Sequence, residues 1–431
     1  MKLSVKKIIN TLKNPSSGWQ TSFLVLVAAS GYLVRAGQYL FRPQLFAEDG
    51  VLWLAEGHNK SITALFQPVN GFLHFPERLF GYVVARVSLH YAPHIFVLTA
   101  WILFILLIYY LLSSRTKIFV NNFERIFIVL ALALVANIPE LFFNFSNSVF
   151  LMGIIGSLIM IASKPKNRLL EIFEKTFFLL TCLTLPFAWF FLPIALVERF
   201  KYKRKELYFL ITSFVASVVQ IIYYVASHVN RSPITFLSLW SKWTLLELYN
   251  QMLVPGIRFA RIDILVQDYT IHRYPVFFVF FVILLFFITT CIVIKKSNKQ
   301  VRYLLFFLAA MTFASVKSPT LSVKTPIEAL KTMAVIVGGS RYFVYGVVGV
   351  IVVYVKATKL AFVPRARYLF MIGLIGFGLL TSLHYQDFFI EKQFMNFTTQ
   401  YNNGITEFKS GHKKSVNILV NPSPWNMTLT R

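Results

Sequence analysis

Long uncharged apolar runs, separated by short basic loops, recur along the whole of this sequence. The mean hydropathy is +0.64 and only 14% of the residues are charged, whereas an ordinary soluble protein carries about 25%. A soluble core could not bury so many runs of about 20 apolar residues. Because the runs are continuous and do not alternate with period two, we expect spanning helices and not barrel strands. The expected fold class is an all-α polytopic membrane protein.

The expected membrane spans are set by the positions of these apolar runs. They lie near residues 20–40, 94–112, 126–136, 148–163, 207–226, 275–294, 303–316, 342–355 and 369–384. A further apolar stretch, 170–199, has basic residues on both sides. If both flanks are cytoplasmic, this stretch must enter the membrane and return, with its turn at 183–187. We therefore predict a re-entrant helical hairpin there.

The basic loops also set the topology, because cytoplasmic loops of membrane proteins are rich in Lys and Arg. With the hairpin in place, the loops that become cytoplasmic are 115–125, 164–175, 199–205, 295–302 and 356–367. This arrangement gives about eleven membrane segments, with the N-terminus inside and the C-terminus outside. It divides the chain into a transmembrane domain, 1–386, and an outer tail, 387–431. The large outer loops of the domain are 41–93 and 227–274.

Several other classes of protein fit the composition poorly. The net charge of +26 resides in short loops instead of on one face or tail, which argues against nucleic acid as a partner. The two cysteines, Cys182 and Cys291, lie in separate apolar runs, so neither a disulfide framework nor a zinc site is expected. A visible internal repeat is also missing, which disfavours a transporter built from inverted halves.

Two adjacent acids, Glu48 and Asp49, follow the first apolar run in a chain with 43 Lys and Arg but only 17 Asp and Glu. A carboxylate at the outer end of the first helix can act as a general base toward a sugar hydroxyl. The alternative is a solvated acid, or a salt-bridge partner for Arg42 or Arg78. Neighbouring residues on a helix point about 100° apart, so we expect one acid to be catalytic and the other structural.

The stretches 51–57 and 68–78 carry apolar residues at three- and four-residue spacing. This pattern predicts amphipathic helices lying in the membrane interface, which either border a lipid substrate or act as a plain surface anchor. His58 and His74 lie in the same loop, but two histidines without a short fixed spacing are weak evidence for a metal site.

Five stretches together carry a resemblance to a known family. They are Phe-Ala-Glu-Asp-Gly at 46–50 with Gly57, Pro68, Gly71, His74, Pro76 and Arg78; Pro139-Glu140 with Asn-Phe-Ser-Asn at 144–147; Leu-Thr-Leu-Pro-Phe at 183–187; Gly-Gly-Ser-Arg-Tyr-Phe at 338–343; and Val-Asn-Pro-Ser-Pro-Trp-Asn-Met at 420–427. In this order the sequence resembles bacterial type C (GT-C) glycosyltransferases, in particular the serotype-converting O-antigen glucosyltransferases. The similar stretches extend over the whole chain.

The resemblance implies an inverting hexosyltransferase of the bacterial inner membrane, active on its periplasmic side. Such an enzyme moves glucose or another hexose from undecaprenyl phosphate to an O-antigen or related lipopolysaccharide glycan. Its partners are then the lipid-linked donor, the glycan acceptor and the bilayer. The resemblance implies no cofactor, and a divalent metal ion stays an open alternative.

Site residues follow from the resemblance together with the chemistry of each side chain. We expect Asp49 as the base, Glu48 as its substitute and Glu140 as a second acid that orients the acceptor. The candidates for the donor phosphate are Arg341, Arg78, Tyr342 and Arg258, although each arginine could equally contact lipid head groups. The candidates for the acceptor sugar are His74, Asn144, Asn147 and Trp425. An asparagine at a helix start is as often a cap, and the tail with Trp425 could be disordered.

Three other functions compete with this reading. A flippase or transporter for lipid-linked sugars would place its charges near the middle of the bilayer, whereas here the acids gather in the outer loops. An O-antigen polymerase would by analogy rely on arginine-rich outer loops. A membrane scaffold would need none of the ordered outer motifs.

Overall fold

The structure is a computed structural model that describes most, but not all, of the chain. The described residues are 18–134, 144–201, 207–227, 242–253, 276–317, 340–361, 373, 397–421 and 425–431. Apart from residue 373, the predicted span at 369–384 lies outside these residues, as does most of the second outer loop, 227–274.

Helices make up most of the described chain, as the apolar runs predict. The α-helices are α1 (Gly18–Phe41), α2 (Glu56–Asn59), α3 (Phe75–Val87), α4 (Ala92–Leu112), α5 (Asn122–Leu134), α6 (Phe145–Ile161), α7 (Arg168–Cys182), α8 (Phe187–Phe200), α9 (Leu207–Ala226), α10 (Lys242–Glu247), α11 (Val276–Lys296), α12 (Lys299–Lys317), α13 (Val344–Ala361) and α14 (Thr398–Ser410). Among the described residues, each predicted span lies on a helix whose ends differ from the prediction by a few residues.

Three of the described helices are long and apolar enough to cross a membrane: α4, α9 and residues 277–296 of α11. The last two pack against the rest of the protein along a narrow side only, and large apolar side chains such as Phe214, Ile222, Phe277 and Phe287 are exposed. Water is a poor solvent for such a surface, whereas lipid is a good one. These faces therefore suit contact with acyl chains.

The contact between α4 and α6 is one of the most extensive in the described part of the chain and belongs to the core. Phe104 and Leu107 of α4 and Ile154 and Leu158 of α6 are almost completely buried there. A Cβ atom on Gly153 would lie only 2.8 Å from the ring of Phe187. Glycine at this position thus allows the start of α8 to approach α6 closely.

Helices α7 and α8 meet at the predicted turn, 183–187. In the middle of α7, Glu174 forms an ion pair with Arg115, with 2.5 Å between Oε1 and Nη1. At the end of α8, Glu198 pairs with Lys299 at 3.2 Å. Both helices of the pair thus contact loops, 115–125 and 295–302, for which the positive charge predicts a single side.

The basic loops contact one another at one end of the helical bundle. The side chain of Asn298 donates a hydrogen bond to the carbonyl of Lys117 at 2.8 Å, and Lys356 pairs with Glu124 at 3.0 Å. Arg115, in one of these loops, donates hydrogen bonds from Nε and Nη2 to the carbonyl of Ser163. Ser163 lies just beyond the C-terminal end of α6, so that end lies in the same region. Since α6 has 17 residues, its N-terminal end lies about 25 Å away.

The first outer loop is only partly helical. A π-helical segment, Asp49–Ala55, runs directly into α2, and a 3₁₀ segment follows at Ser61–Phe66. Next come two short antiparallel strands, β1 (Pro68–Val69) and β2 (Phe72–Leu73), where the apolar spacing predicts a helix. An Asn-Gly pair with positive φ at both positions joins the strands, which is the geometry of a tight hairpin turn.

The tail forms a helix followed by a hairpin, an addition to the all-α expectation. After α14, strands β3 (Ser415–Leu419) and β4 (Asn426–Thr430) pair antiparallel. Alternate residues of each strand are buried. The hairpin packs on the first outer loop, where Phe46 and Asn421 form a parallel β-bridge.

Candidate functional site

A cavity of about 350 Å³ opens at the end of the bundle opposite the basic loops. It lies where the first outer loop meets the start of α6, the turn 183–187, the ends of α9 and α12 and the start of α13. Its described lining residues are Glu48, Trp53, Val69, Asn70, Phe72, His74, Ser146, Asn147, Val149, Phe150, Leu185, Pro186, Trp189, Phe190, Tyr224, Met311, Ala314, Ser315 and Tyr342. The volume is within the range of small-molecule sites, roughly 300–1,000 Å³.

The two adjacent acids take different positions at this cavity. Glu48 lines it, whereas Asp49 is only 1% exposed and turns toward the start of α6. The Asp49 carboxylate accepts hydrogen bonds from the backbone N–H of Phe145 at 3.0 Å and of Ser146 at 2.8 Å. The Ser146 hydroxyl donates a third bond, at 2.6 Å. The acids diverge as expected, but the one that faces the cavity is Glu48, the expected substitute.

Burial governs the charge of Asp49. It raises the pKa of this carboxyl to about 7, while the hydroxyl and backbone N–H of Ser146 and the backbone N–H of Phe145 act in the opposite direction. The neighbouring charge of Glu48 adds to the increase. The N-terminal end of a helix favours a negative charge. Asp49 thus fastens the acidic loop to α6.

The far end of the chain holds the acidic loop from its other side. The backbone N–H of Ala47 donates to the carbonyl of Asn421, and the backbone N–H of Asn421 donates to the carbonyl of Leu45. Ala47 adopts a φ of +37°, a left-handed conformation that is uncommon for a residue with a side chain. Strained backbone of this kind gathers at functional sites and persists only where surrounding contacts enforce it.

His74 lies on the cavity wall as part of a buried polar group. Its Nδ1 lies 3.1 Å from Oε1 of Glu77, and the hydroxyl of Thr184 in the helix turn donates to the same oxygen. Gln220 of α9 donates to the carbonyls of Leu73 and Thr184 and accepts from the N–H of Leu73. The histidine, the turn and α9 are thereby joined.

An aromatic cluster forms another part of the wall, made by Phe72, Trp189 and Tyr224. The ring centroid of Phe72 lies 5.7 Å from that of Trp189 and 5.7 Å from that of Tyr224. A second tryptophan, Trp53, donates from Nε1 to the hydroxyl of Ser146 at 2.7 Å. Faces of this kind can stack on a sugar or accommodate an apolar chain.

Four of the residues predicted from sequence meet at the cavity, namely Glu48, His74, Asn147 and Tyr342. Asn144 does not line it, because its side chain caps α6 by accepting from the N–H of Asn147 at 2.7 Å. The cap was the alternative considered for this residue.

Two further predicted residues are described but lie outside the lining. Arg78 is buried, with its Nη1 2.8 Å from Oε2 of Glu56 and its guanidinium over the ring of Trp53. It therefore neutralises Glu56 and does not face the cavity. Trp425 is exposed at the edge of the tail hairpin, where its carbonyl accepts from the N–H of Val420.

The remaining predictions rest on parts that the structure does not describe. Glu140 and Arg258 lie outside the described residues. Only the backbone of Arg341 is described, in the 3₁₀ segment Ser340–Phe343 that precedes α13.

Sequence reasoning missed Glu77, Thr184, Gln220 and the aromatic cluster as parts of the site. Glu77 follows His74 by three residues at the start of a helix, a spacing that brings two side chains together. That signal was present in the sequence. The described part of the chain contains no group of three or more His, Cys, Asp or Glu placed to hold a metal ion.

Comparisons with family models, curated proteins and solved structures find no match to this chain.

Proposed function

We propose that this protein is an inverting membrane glycosyltransferase that takes a hexose, with glucose as the first choice, from undecaprenyl phosphate. The acceptor is an O-antigen or a related glycan of the lipopolysaccharide type. The observation that carries the proposal is the cavity in which Glu48 meets His74, Asn147 and the aromatic cluster. A carboxylate beside amide and imidazole groups suits sugar hydroxyls, and aromatic faces suit sugar rings or a prenyl chain.

In this proposal Glu48 is the general base. Its carboxylate takes the proton from the acceptor hydroxyl while that oxygen attacks the anomeric carbon of the donor from the face opposite the phosphate. The bond to the phosphate breaks with inversion, and the lipid phosphate departs with the electron pair. Asp49 positions Glu48 by holding the loop against α6.

The proposed setting is the bacterial inner membrane, with about eleven membrane segments that include the α7–α8 hairpin. The exposed apolar faces of α9 and α11 support contact with lipid. The basic end of the bundle faces the cytoplasm under the positive-inside rule, so the cavity and the tail are periplasmic. A lipid-linked donor would then reach the cavity from the outer leaflet.

The test is transfer of labelled hexose from synthetic undecaprenyl-phosphate hexose to a glycan acceptor in proteoliposomes. Glu48→Gln should lower the rate by about 10²–10⁴-fold, the usual contribution of a general base. Glu407→Gln, which changes an exposed acid of α14, is the matched control and should leave the rate unchanged. Equal rates for the parent and Glu48→Gln would remove Glu48 from the mechanism. If the parent transfers hexose from no polyprenyl donor, the enzyme proposal fails and transport becomes the better reading.

A further inference from the structure

The His74–Glu77 pair is constructed as a fixed unit at the cavity wall. Glu77 is completely buried, and its Oε1 accepts from Nδ1 of His74 and from the hydroxyl of Thr184. A carboxylate on one ring nitrogen determines the tautomer and orientation of a histidine. The other nitrogen, Nε2, is therefore the one available to a bound molecule.

Glu77 and His74 form a buried pair of a carboxyl group and an imidazole. A buried carboxylate is costly unless a cation or strong hydrogen bonds compensate it. Among the described residues, the ionisable side chain in contact with Glu77 is the imidazole of His74, which forms an ion pair with it when protonated. The neighbouring arginine, Arg78, pairs with Glu56 instead.

His74 also has a distinct place among the groups that line the cavity. Of the described lining residues, it alone has a side chain that can carry a positive charge. A sugar phosphate brings a negative charge to the cavity, and this charge grows on the phosphate when the bond to the sugar breaks. A site for such a reaction needs a proton donor or a cation near the departing oxygen.

We propose that His74, in its protonated form, is the acid that serves the leaving phosphate, and that Glu77 is the positioning residue that orients its ring. This inference rests on the proposed transfer reaction. The acceptor hydroxyl gives its proton to Glu48 and forms the new bond to the anomeric carbon. The bond from that carbon to the phosphate oxygen breaks, and its electron pair stays on the oxygen. The proton on Nε2 of His74 passes to that oxygen, which leaves a neutral imidazole and a singly charged lipid phosphate.

The surroundings keep this pair in place during the reaction. Gln220 bonds the backbone on the N-terminal side of His74 and the carbonyl of Thr184, so α9 fixes the loop and the turn together. The ring of His74 lies 5.5 Å from that of Trp53. Such support limits rotation of the imidazole away from the donor.

The test uses the proteoliposome assay with His74→Ala, His74→Asn and Glu77→Gln. His74→Ala and His74→Asn should each lower kcat by about 10²–10⁴-fold. Added imidazole should restore part of the rate of His74→Ala, because it can occupy the space left by the ring. Glu77→Gln should lower kcat more than it raises KM for the donor. His90→Ala, which removes an exposed histidine outside the cavity, is the control and should behave like the parent.

The outcomes separate this inference from the proposed function. If the parent transfers hexose and His74→Asn stays within about threefold of it, the role of His74 is refuted while the enzyme proposal stands. Failure of imidazole to restore His74→Ala, when its melting temperature matches that of the parent, also refutes the acid role. Should His74→Ala not fold, the rate of His74→Asn decides the question. An inactive parent would refute the proposed function itself, and the role of His74 with it.

Discussion

Replacing Asp49 by Asn should change how the stability of the protein depends on pH. In the folded protein, burial raises the pKa of Asp49 to about 7, while in the unfolded chain an Asp has a pKa of about 3.9. Between these values the folded state binds more protons than the unfolded state. The free energy of unfolding therefore decreases as the pH rises through this window, and it levels off above pH 7. Asn does not titrate, so the Asp49→Asn variant lacks this pH-dependent contribution to the free energy of unfolding.

The size of the effect follows from the two pKa values. From pH 7 to pH 5 the parent should gain about 2 kcal/mol relative to Asp49→Asn. With an unfolding entropy of about 2.1 cal/mol/K per residue, the difference in melting temperature should grow by roughly 2 to 3 °C. The assay is thermal unfolding of the purified protein in detergent at pH 5, 6, 7 and 8.

Two further variants sharpen the experiment. Ser146→Ala removes a hydroxyl donor that lowers the pKa of Asp49, so the decrease in stability should continue above pH 7. Glu56 serves as a control. Burial alone would raise the pKa of its carboxyl group, but hydrogen bonds from Lys60 and Arg78 outweigh burial and hold this pKa below its usual value. The difference between the parent and Glu56→Gln should accordingly stay constant from pH 5 to pH 7. A parent and an Asp49→Asn variant that differ by the same amount at every pH would refute the reasoning.

Two other predictions concern packing and topology. A Cβ on Gly81 would lie 2.2 Å from the carbonyl oxygen of Trp53, so Gly81→Ala should cost about 1–3 kcal/mol by overpacking and lower both the melting temperature and hexose transfer. Gly349→Ala, where the nearest atom is 3.7 Å away, should be tolerated, and equal losses in the two variants would contradict this account. In a cysteine-free background, Ser61→Cys should react with an impermeant thiol reagent from the periplasmic side and Lys296→Cys only from the cytoplasmic side. Labelling of both from one side would overturn the topology.

The helical part of the fold was predictable because charge is expensive inside a bilayer. Continuous apolar runs therefore mark helices, and basic flanks mark loops that share one side. The basic residues of the loops 115–125 and 295–302 predict that both loops lie on the same side. In the structure these loops touch, because Asn298 donates a hydrogen bond to the carbonyl of Lys117. The turn at 183–187 was predicted from the same argument, since both of its flanks are basic.

The site was predictable in its segments but not in the direction of each side chain. The spacing of Glu48 and Asp49 requires them to diverge, yet it does not specify which one faces the cavity. That choice depends on the left-handed backbone at Ala47 and on the N–H groups of Phe145 and Ser146, which bind Asp49 at the start of α6. Both are tertiary features. Similarly, Gln220 lies 147 residues from Leu73, and nothing in the local sequence of either residue indicates that they meet.

The tail shows how a local pattern can reveal an element without revealing its role. Polar and apolar residues alternate in the sequence along most of 415–419 and 426–430, which is the signature of half-buried strands, and the structure buries the apolar positions Val416, Ile418, Met427 and Leu429. The sequence therefore contained the hairpin. It did not contain the bond from Ala47 to Asn421, which ties the acidic loop to a segment near the other end of the chain. Since this bond helps to hold the backbone just before Glu48, the geometry of the proposed base depends on the tail being folded.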